Sequence, residues 1–499
     1  MPVTTWRIAG ALAGAVTAAL ALLPVAATAQ PRNELVVGMQ LEPPHLDPTG
    51  SAAAAIDEIV YANLFEPLVR VDQSGAVVPG LAERWSVSPD GLTYRFELRR
   101  GAKFHDGTAL DSGDVKFTLD RARAADSTNA QKAYFTPIAN VETPDPHTAV
   151  VTLSRPDGLF LFHMGMGDSV IVAPESAATN KQKPVGTGPF KLDRWAAGDR
   201  VVLVRNPDYD GPKPALERVT FRFINDPAVQ VASLLSGDVD TIPQFGVYEQ
   251  LGQFRSDPRF TVMEGTGEGE AILATNNARK PFDDVRVRRA MAHAIDRKTL
   301  IEGAMFGTAK PIGTHFAPHH PAYVDLTGLY PYDVAKAKAL LAEAGHPNGF
   351  EATLRLPPPI YARRSGELVA AMLAEAGIRL KIENVEWAQW LEKVYRGKDY
   401  DLTIVAHTEP LDIGIYGRDN YYFNYDSPRF KAIDQQLETV QEEGKRNELY
   451  AQQERIIAED AVNGFLFVIP QITVQKAGVQ GMWKNRPLQS TDVTGVSWK

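Results

Sequence analysis

The chain is best approached through PVGTGPFKLDRWAAGDRVVLVRNPDYDG, the segment from Pro184 to Gly211. Two strand-like runs, Phe190 to Trp195 and Val201 to Arg205, flank the turn sequence Ala-Ala-Gly-Asp and predict a β-hairpin. In front of the hairpin, the glycines of Gly-Thr-Gly-Pro permit positive φ and Pro189 removes a backbone donor, so the chain must bend there. Such a hairpin fits many α/β proteins, and other segments must choose among them.

The composition predicts a globular protein of several domains. At 499 residues the chain is too long for one core, so two or three domains are expected. Apolar residues make up 44% of the chain and charged residues 23%, which is ordinary for a globular protein. The 52 Lys and Arg residues against 61 Asp and Glu residues give a net charge of −9, which argues against a nucleic-acid partner.

The N-terminus predicts a signal peptide over residues 1–29. Arg7 supplies a positive start, Ile8 to Val25 is apolar, and Ala27-Thr28-Ala29 is an A-x-A cleavage site. An uncleaved membrane anchor is the alternative, but polar sequence follows the cleavage site directly. No later apolar run approaches the ~20 residues of a membrane span.

The absence of cysteine constrains both chemistry and location. Without cysteine there is no disulfide, no thiolate metal ligand and no catalytic thiol. A lipid-attached exported protein also needs a cysteine at its cleavage site. We therefore expect a secreted, periplasmic monomer without a lipid anchor.

A second segment, Gly80 to Arg121, carries a long motif: GLAERWSVSPDGLTYRFELRRGAKFHDGTALDSGDVKFTLDR. Ser-Pro-Asp-Gly is a turn, Thr93 to Leu98 alternates as a strand, and Asp111 to Arg121 begins a helix behind capping residues. The segment resembles, almost residue for residue, a motif of the family 5 extracellular solute-binding proteins of ABC importers. His105 and Asp106 then belong to a structural turn, and no third ligand nearby supports a metal site.

Further segments resemble counterparts in the same family. Leu216 to Asp240 predicts a strand and then a helix ended by Gly237. Pro281 to Gly307 predicts one amphipathic helix capped by Asp283 or Asp284, and Tyr330 to Gly349 predicts another. The resemblance covers nearly the whole mature chain.

The resemblance implies an α/β fold of the periplasmic binding protein type, with three domains in two lobes that close around a ligand by a hinge. It also implies domain ranges: lobe one at 30–59, 187–276 and 472–499, a subdomain inserted into it at 60–186, and lobe two at 277–471.

Enzyme motifs are absent from the sequence. Gly265-Thr-Gly-Glu-Gly lacks the setting of a dinucleotide site, and neither H-E-x-x-H nor G-x-S-x-G occurs. A secreted hydrolase would need a nucleophile–base pair, which we do not find. We expect no enzymatic activity, no cofactor and no metal site.

The segment His407 to Tyr425, HTEPLDIGIYGRDNYYFNY, places three acids among five aromatic residues. In peptide-binding relatives a Trp-x-x-Asp motif at this place pairs with the α-ammonium of the ligand. Here His407 or Thr408 stands where the Trp would be, and either Glu409 or Asp412 can supply the carboxylate. We favour Asp412 because Pro410 turns the chain just before it. The alternative is a solvated acidic loop.

Two other segments are predicted to contact the ligand. In LRLPPPIYARR, from Leu354 to Arg364, Tyr361 keeps the family's aromatic, whereas Pro359 replaces the Arg that holds the ligand carboxylate in dipeptide binders. Arg363 and Arg364 follow and are possible substitutes. The proline-stiffened loop LEPPHLDPTGS is either a plain connector or a rigid cleft wall that presents Thr49 and Ser51. Trp387 and Trp390 are expected to pack within lobe two.

The predicted function is that of a periplasmic receptor that delivers a peptide-like, amine-bearing solute to the permease subunits of an ABC importer. A same-fold alternative binds a metal complex, an opine or a sugar-derived solute. A sensor that signals ligand occupancy to a membrane receptor would share every feature of this sequence.

Overall fold

The structure is a computed structural model that describes residues 1–4, 32–50, 53–440 and 442–499. The predicted cleavage site at Ala27-Thr28-Ala29 and the predicted ligand residue Ser51 lie outside these ranges. The strands are β1 (Glu34–Met39), β2 (Val69–Val71), β3 (Val77–Pro79), β4 (Ala82–Val87), β5 (Thr93–Leu98), β6 (Ile138–Asp145), β7 (Thr148–Leu153), β8 (Phe190–Ala196), β9 (Arg200–Arg205), β10 (Arg218–Phe223), β11 (Thr241–Ile242), β12 (Phe260–Thr275), β13 (Lys310–Pro311), β14 (Phe350–Leu356), β15 (Ile378–Asn384), β16 (Leu402–His407), β17 (Gly464–Lys476), β18 (Val479–Gln480) and β19 (Ser497–Trp498).

The helices lie between these strands. They are α1 (Ala54–Val60), α2 (Ser112–Arg123), α3 (Lys132–Phe135), α4 (Phe160–His163), α5 (Pro227–Ser236), α6 (Leu251–Ser256), α7 (Val285–Ala294), α8 (Arg297–Met305), α9 (Val334–Glu343), α10 (Ile360–Glu375), α11 (Trp387–Trp390), α12 (Pro428–Leu437) and α13 (Glu443–Glu459). None of the helices in the described part of the chain combines the length and the apolar character that a membrane crossing needs.

One large mixed sheet runs through the molecule in the order β15-β14-β16-β12-β17-β11-β1-β10-β9-β8, with β13 paired to β17. Its two longest strands, β12 and β17, pair antiparallel at its centre. Their register shifts between Thr266 and Glu270, so Gly267, Glu268 and Gly269 fall between two paired runs. Such an irregularity bends a strand pair locally.

A second, four-stranded antiparallel sheet has the order β4-β5-β7-β6. Its buried residues form a core of their own with α2, in which all members lie between Leu68 and Ala173. Tyr94, Phe96 and Leu98 of β5 point into this core, as the alternation in the sequence predicts. The predicted domain ranges within 33–499 nevertheless stay a prediction.

The hairpin predicted from Pro184–Gly211 is confirmed: β8 and β9 pair antiparallel, and Gly198 in the turn has a φ of 76°. The two glycines before it serve a different purpose from the one predicted. Neither Gly186 nor Gly188 has a positive φ. A side chain at either position would instead collide with the backbone of residues 63–64, so these glycines allow a close approach of two chain segments.

His105, which belongs to the motif from Gly80 to Arg121, contacts the residues just before this hairpin. The contacts confirm that the role of His105 is structural. Its Nε2 lies 3.1 Å from the carbonyl oxygen of Gly188, and its Nδ1 accepts a hydrogen bond from the amide of Gly186 at 3.3 Å. Burial lowers the pKa of His105 to about 4, so the ring is neutral at physiological pH.

Two boundary predictions need correction. The single helix predicted from Pro281 to Gly307 is two helices, α7 and α8, because the Asp296 side chain accepts hydrogen bonds from two backbone amides and caps a new helix there. The residues from Tyr400 to Val405 predict a strand before the acidic segment, but the observed strand, β16, continues to His407, which therefore lies in the sheet and not in the loop that follows.

The C-terminus completes the core that the N-terminus begins. Leu35 and Val37 of β1 share a cluster with Val493 and Val496. Within it, the buried side-chain amide of Asn63 donates to the carbonyl of Thr491 at 2.9 Å and accepts from the amide of Val493 at 3.1 Å.

Candidate functional site

A cavity of about 740 Å³ lies between two parts of the chain. Residues between 131 and 163, from the part with the four-stranded sheet, form one wall, and residues between 387 and 422 form the other. A cavity of about 360 Å³ adjoins it. The two share six lining residues: Arg155, Asp157, Leu159, Leu411, Asp412 and Arg418. These volumes are typical of small-molecule sites, which span roughly 300–1,000 Å³.

The end of β16 and the loop after it place the acidic residues in this cavity. Antiparallel pairing sets His407 opposite Glu270 of β12, so their side chains share one face of the sheet. Leu411 then takes a left-handed conformation with a φ of 57°, which turns the chain into a 3₁₀ helix over Asp412–Gly417. His407, Glu409 and Asp412 all line the larger cavity.

Asp412 is held between two histidines. Its Oδ1 lies 2.7 Å from Nε2 of His315, and its Oδ2 lies 3.4 Å from Nδ1 of His407. Nε2 of His407 lies 3.0 Å from the hydroxyl oxygen of Tyr422. Burial alone would raise the pKa of Asp412, but the charges and hydrogen bonds of the two histidines outweigh burial and hold that pKa below its usual range. Asp412 therefore keeps its negative charge at neutral pH.

Glu454 of α13 fixes the segment that carries His315. Its two carboxylate oxygens accept hydrogen bonds from the amides of Phe316 and Val324, both at 2.8 Å. Its carbonyl accepts one from the hydroxyl of Thr314 at 3.0 Å. Burial raises the pKa of this fully buried side chain to about 8 despite the two amide hydrogen bonds.

Glu270 brings a second buried carboxyl group to the same face as His407. Its Oε2 is buried, and no hydrogen-bond partner for it exists in the described part of the chain. Burial, followed by the charges of Glu268 and Asp412, raises the pKa of Glu270 well above its ordinary value. Glu270 therefore binds a proton more readily than an exposed glutamate does, in contrast to Asp412.

Glu409 and Thr408 are both exposed, but they line different cavities. Glu409 lines the larger cavity, and its Oε2 accepts a hydrogen bond from the amide of Thr408 at 3.2 Å. Thr408 lines a separate cavity of about 300 Å³ that also contacts Gln40, Gly267 and Arg486.

Tyr361 and Thr49 lie away from the acidic residues. The hydroxyl of Tyr361 accepts a hydrogen bond from the amide of Ala406 at 2.8 Å, and its ring packs on the core beneath β16. Thr49 lines a cavity of about 170 Å³, where its buried hydroxyl donates to Asp47 and accepts from Arg121. Neither residue lines the cavity that contains Asp412.

Sequence reasoning did not find the opposite wall of the cavity. Tyr134 and His163 lie there with their rings stacked 3.9 Å apart, and both line the cavity. Trp387 and Trp390 line it as well. Trp390 packs in the core as predicted, but Trp387 is 41% exposed. No motif marks these aromatic residues, because they meet only after folding.

Three of these side chains could hold a metal ion. One donor atom each from His407, Glu409 and Asp412 lies within 4.8 Å of the others, a grouping that the sequence did not predict. In this arrangement both oxygens of Asp412 already face histidine nitrogens. A metal ion would have to replace at least one of these contacts.

Comparison with known proteins defines the class. The model of the bacterial extracellular solute-binding proteins, family 5 (middle region), matches residues 76–427. The chain therefore belongs to this family. Its fold is the periplasmic binding protein fold, and it is a solute-binding receptor of an ABC importer, not an enzyme.

Particular relatives bind different solutes according to their names. The chain is 32% identical over 380 residues to heme-binding protein A of Haemophilus influenzae, which covers 70% of this chain and 69% of the relative. It is 31% identical over 386 residues to the dipeptide-binding protein of Escherichia coli, with 71% of each chain covered. The solved structure of HbpA2 from Haemophilus parasuis superposes with a TM-score of 0.86 at 27% identity and covers 94% of this chain and all of that one.

Proposed function

We propose that this receptor captures a peptide or peptide-like, amine-bearing solute in the cavity of about 740 Å³ and delivers it to the permease subunits of its importer. One observation carries the proposal. Asp412 is an enclosed carboxylate that stays ionised at neutral pH, which is what an ammonium group requires of its receptor. The named function of the Escherichia coli relative, dipeptide binding, supports the same solute class.

Asp412 and Glu409 divide the recognition of the ammonium group in this proposal. Asp412 lies at the junction of the two cavities with its orientation set by His315 and His407. Glu409 lies at the surface and is free to follow the ligand. Aromatic side chains from both walls, Tyr134 on one and Trp387 and Tyr421 on the other, limit the access of water and strengthen the ion pair. Tyr361 supports the site from beneath through Ala406.

Export and partners form the rest of the proposal. The protein enters the periplasm with residues 1–29 removed, carries no lipid anchor because it has no cysteine, and acts as a monomer without nucleic-acid partners. Closure brings together the two lobes predicted from the domain ranges. Separate cores for residues 68–173 and for the segment around α7 to α10 support this division.

Calorimetry on two charge-removing variants tests the ammonium site. Mass spectrometry of protein purified from its own periplasm identifies the solute, which is then titrated into Asp412→Asn and Glu409→Gln. We expect Asp412→Asn to weaken binding by about 2–5 kcal/mol, or roughly 30-fold or more, because the ammonium group loses its enclosed partner. Glu409→Gln should cost only ~0–1 kcal/mol, as for exposed ion pairs.

His315→Gln serves as the control for this experiment. It removes the imidazole that pairs with Asp412 but leaves the carboxylate, so it reports how much of the loss comes from the disturbed pair. If Asp412→Asn and Glu409→Gln both bind within a few-fold of the parent, the acidic loop is a solvated surface and the assignment is wrong.

A metal complex is the second candidate solute. The observation that favours it is the grouping of His407, Glu409 and Asp412 donor atoms within 4.8 Å. Titration with Ni²⁺ separates the two candidates. Heat that disappears in His407→Gln would favour the metal complex, whereas an ammonium site gives no such signal.

A further inference from the structure

The cavity contains two arginines that the ammonium site leaves unused. Arg155 follows β7, and Arg418 follows the 3₁₀ helix Asp412–Gly417. Both line the larger cavity and the adjoining one. Among the described residues, neither guanidinium group has a hydrogen bond or an ion pair. Arg418 only lies over the ring of Tyr421, 5.9 Å from its centre.

Asp157 and Asp412, the two acids that line both cavities together with these arginines, contact other groups. Asp157 accepts a hydrogen bond from the amide of Leu159 at 2.9 Å, and its Oδ2 lies 3.8 Å from Nδ1 of His163. Asp412 faces His315 and His407. Two unpaired guanidinium groups therefore line a space that also contains an enclosed carboxylate.

The arginines that the sequence offered for a carboxylate lie elsewhere. Arg363 is 3.6 Å from Glu386, and Arg364 lies over the ring of Phe306, 5.2 Å from its centre. Neither lines the cavity of Asp412 or the adjoining one. A substitute for the arginine missing at Pro359 must come from another part of the chain.

We infer that Arg155 and Arg418, from opposite walls of the cavity, together bind the carboxylate of the solute. The inference rests on the proposed function and narrows it to zwitterionic solutes with a free carboxylate, such as unmodified short peptides. Guanidinium groups suit this role because they bind carboxylates through paired, charge-assisted hydrogen bonds. One charged end of the solute meets Asp412, and the other meets the two arginines.

Retention of peptide libraries tests this inference. The purified chain is incubated with an equimolar library of free di- to tetrapeptides, and separately with the same library amidated at the C-terminus. Bound peptides are quantified by mass spectrometry after gel filtration. We expect the parent protein to retain the free acids about 10- to 100-fold better than the amides, because the amides cannot form the charged hydrogen bonds.

Variants assign the effect to the two arginines. The double variant Arg155→Gln/Arg418→Gln should retain the free and the amidated library equally. The amount that it retains should equal the amount of the amidated library that the parent retains. Arg364→Gln, an arginine outside both cavities, is the matched control and should keep the preference for free acids. Equal thermal midpoints for the variants and the parent show that folding is intact.

The outcomes separate the two proposals. If the parent retains amides as well as free acids, the carboxylate site is wrong while the proposed capture of peptides stands. If the preference for free acids survives in the double variant, another group binds the carboxylate and this inference fails. If the parent retains neither library, the proposed function is wrong and this inference falls with it.

Discussion

Asp412 and Glu270 both lie beside His407, yet their pKa values shift in opposite directions. The two histidines that contact Asp412 keep its pKa low, whereas Glu270 has no charged hydrogen-bond partner and its pKa is raised. Asp412 thus offers the ammonium group of the solute an ionised carboxylate in the wall of the cavity. The contacts of His315 and His407 with Asp412, and not the number of acids in the loop, determine that Asp412 is ionised.

The sequence predicted the acids of the site but not their partners. His407, Glu409 and Asp412 lie within six residues of one another, so a motif comparison finds them. His315 comes from a proline-rich segment far earlier in the chain, which Glu454 holds in place next to Asp412. Contacts between residues so distant in sequence leave no local pattern.

Glu454 should give the protein a measurable pH dependence. The folded protein binds the proton of Glu454 more tightly than the unfolded chain does, since burial raises the pKa from 4.5 to about 8. This contribution to stability is complete below about pH 4.5 and is lost as the pH rises through 8. Between pH 5 and pH 8, the free energy of unfolding of the parent should fall by on the order of 3 kcal/mol more than that of Glu454→Gln.

Urea unfolding at several pH values measures this difference. Glu409→Gln, which removes an exposed acid, is the control and should follow the pH dependence of the parent. Parallel curves for Glu454→Gln and the parent would show that Glu454 is ionised throughout this range.

Among the secondary-structure elements, the hairpin and most capped helices were predictable. Turn glycines and capping aspartates act locally: Gly198 lies in the predicted turn and Asp284 caps α7 as predicted. Asp111 and Asp333 cap α2 and α9 in the same way. The predictions failed where the reason was not local. The role of Gly186 and Gly188 depends on residues 63–64, which approach them only in the folded protein.

Gly186→Ala should destabilise the protein through that close approach. The added methyl group would collide with the carbonyl oxygen of Leu64, which belongs to the backbone and cannot rotate away. We expect a loss of about 1–3 kcal/mol in the free energy of unfolding, as for overpacked sites. Gly252→Ala is the control, since it adds a methyl group in open space on α6 and should be neutral or stabilising. Equal unfolding midpoints for the two variants would rule out the close approach as the reason for the glycine.

For the whole molecule, the irregular crossing of β12 and β17 is the natural place for a hinge. The strands are paired on either side of Gly267–Gly269, whereas these residues interrupt the ladder between β12 and β17. On the far side of the cavity, Gly158 abuts the carbonyl of Leu437 at the end of α12, so the two walls touch in this structure. We expect closure of the predicted lobes to bend the chain at this crossing and to change the contact between Gly158 and Leu437.

Small-angle scattering should show this closure. Saturating solute should lower the radius of gyration toward about 23 Å, the value for a compact chain of the size of residues 33–499. Asp412→Asn at the same solute concentration should stay at the larger value because its site is less occupied. An unchanged radius at saturation, established by calorimetry, would contradict closure on binding.

The shared core of the two chain ends has a consequence for biosynthesis. Asn63 cannot make its hydrogen bonds to Thr491 and Val493 until the ribosome has produced nearly all 499 residues. At roughly 5–20 residues per second, translation takes about 25–100 s. During that time the first core lacks its last strands and cannot close. This core can therefore form only at the end of synthesis, whereas the core of residues 68–173 has all its buried members by the time about a third of the chain has been made.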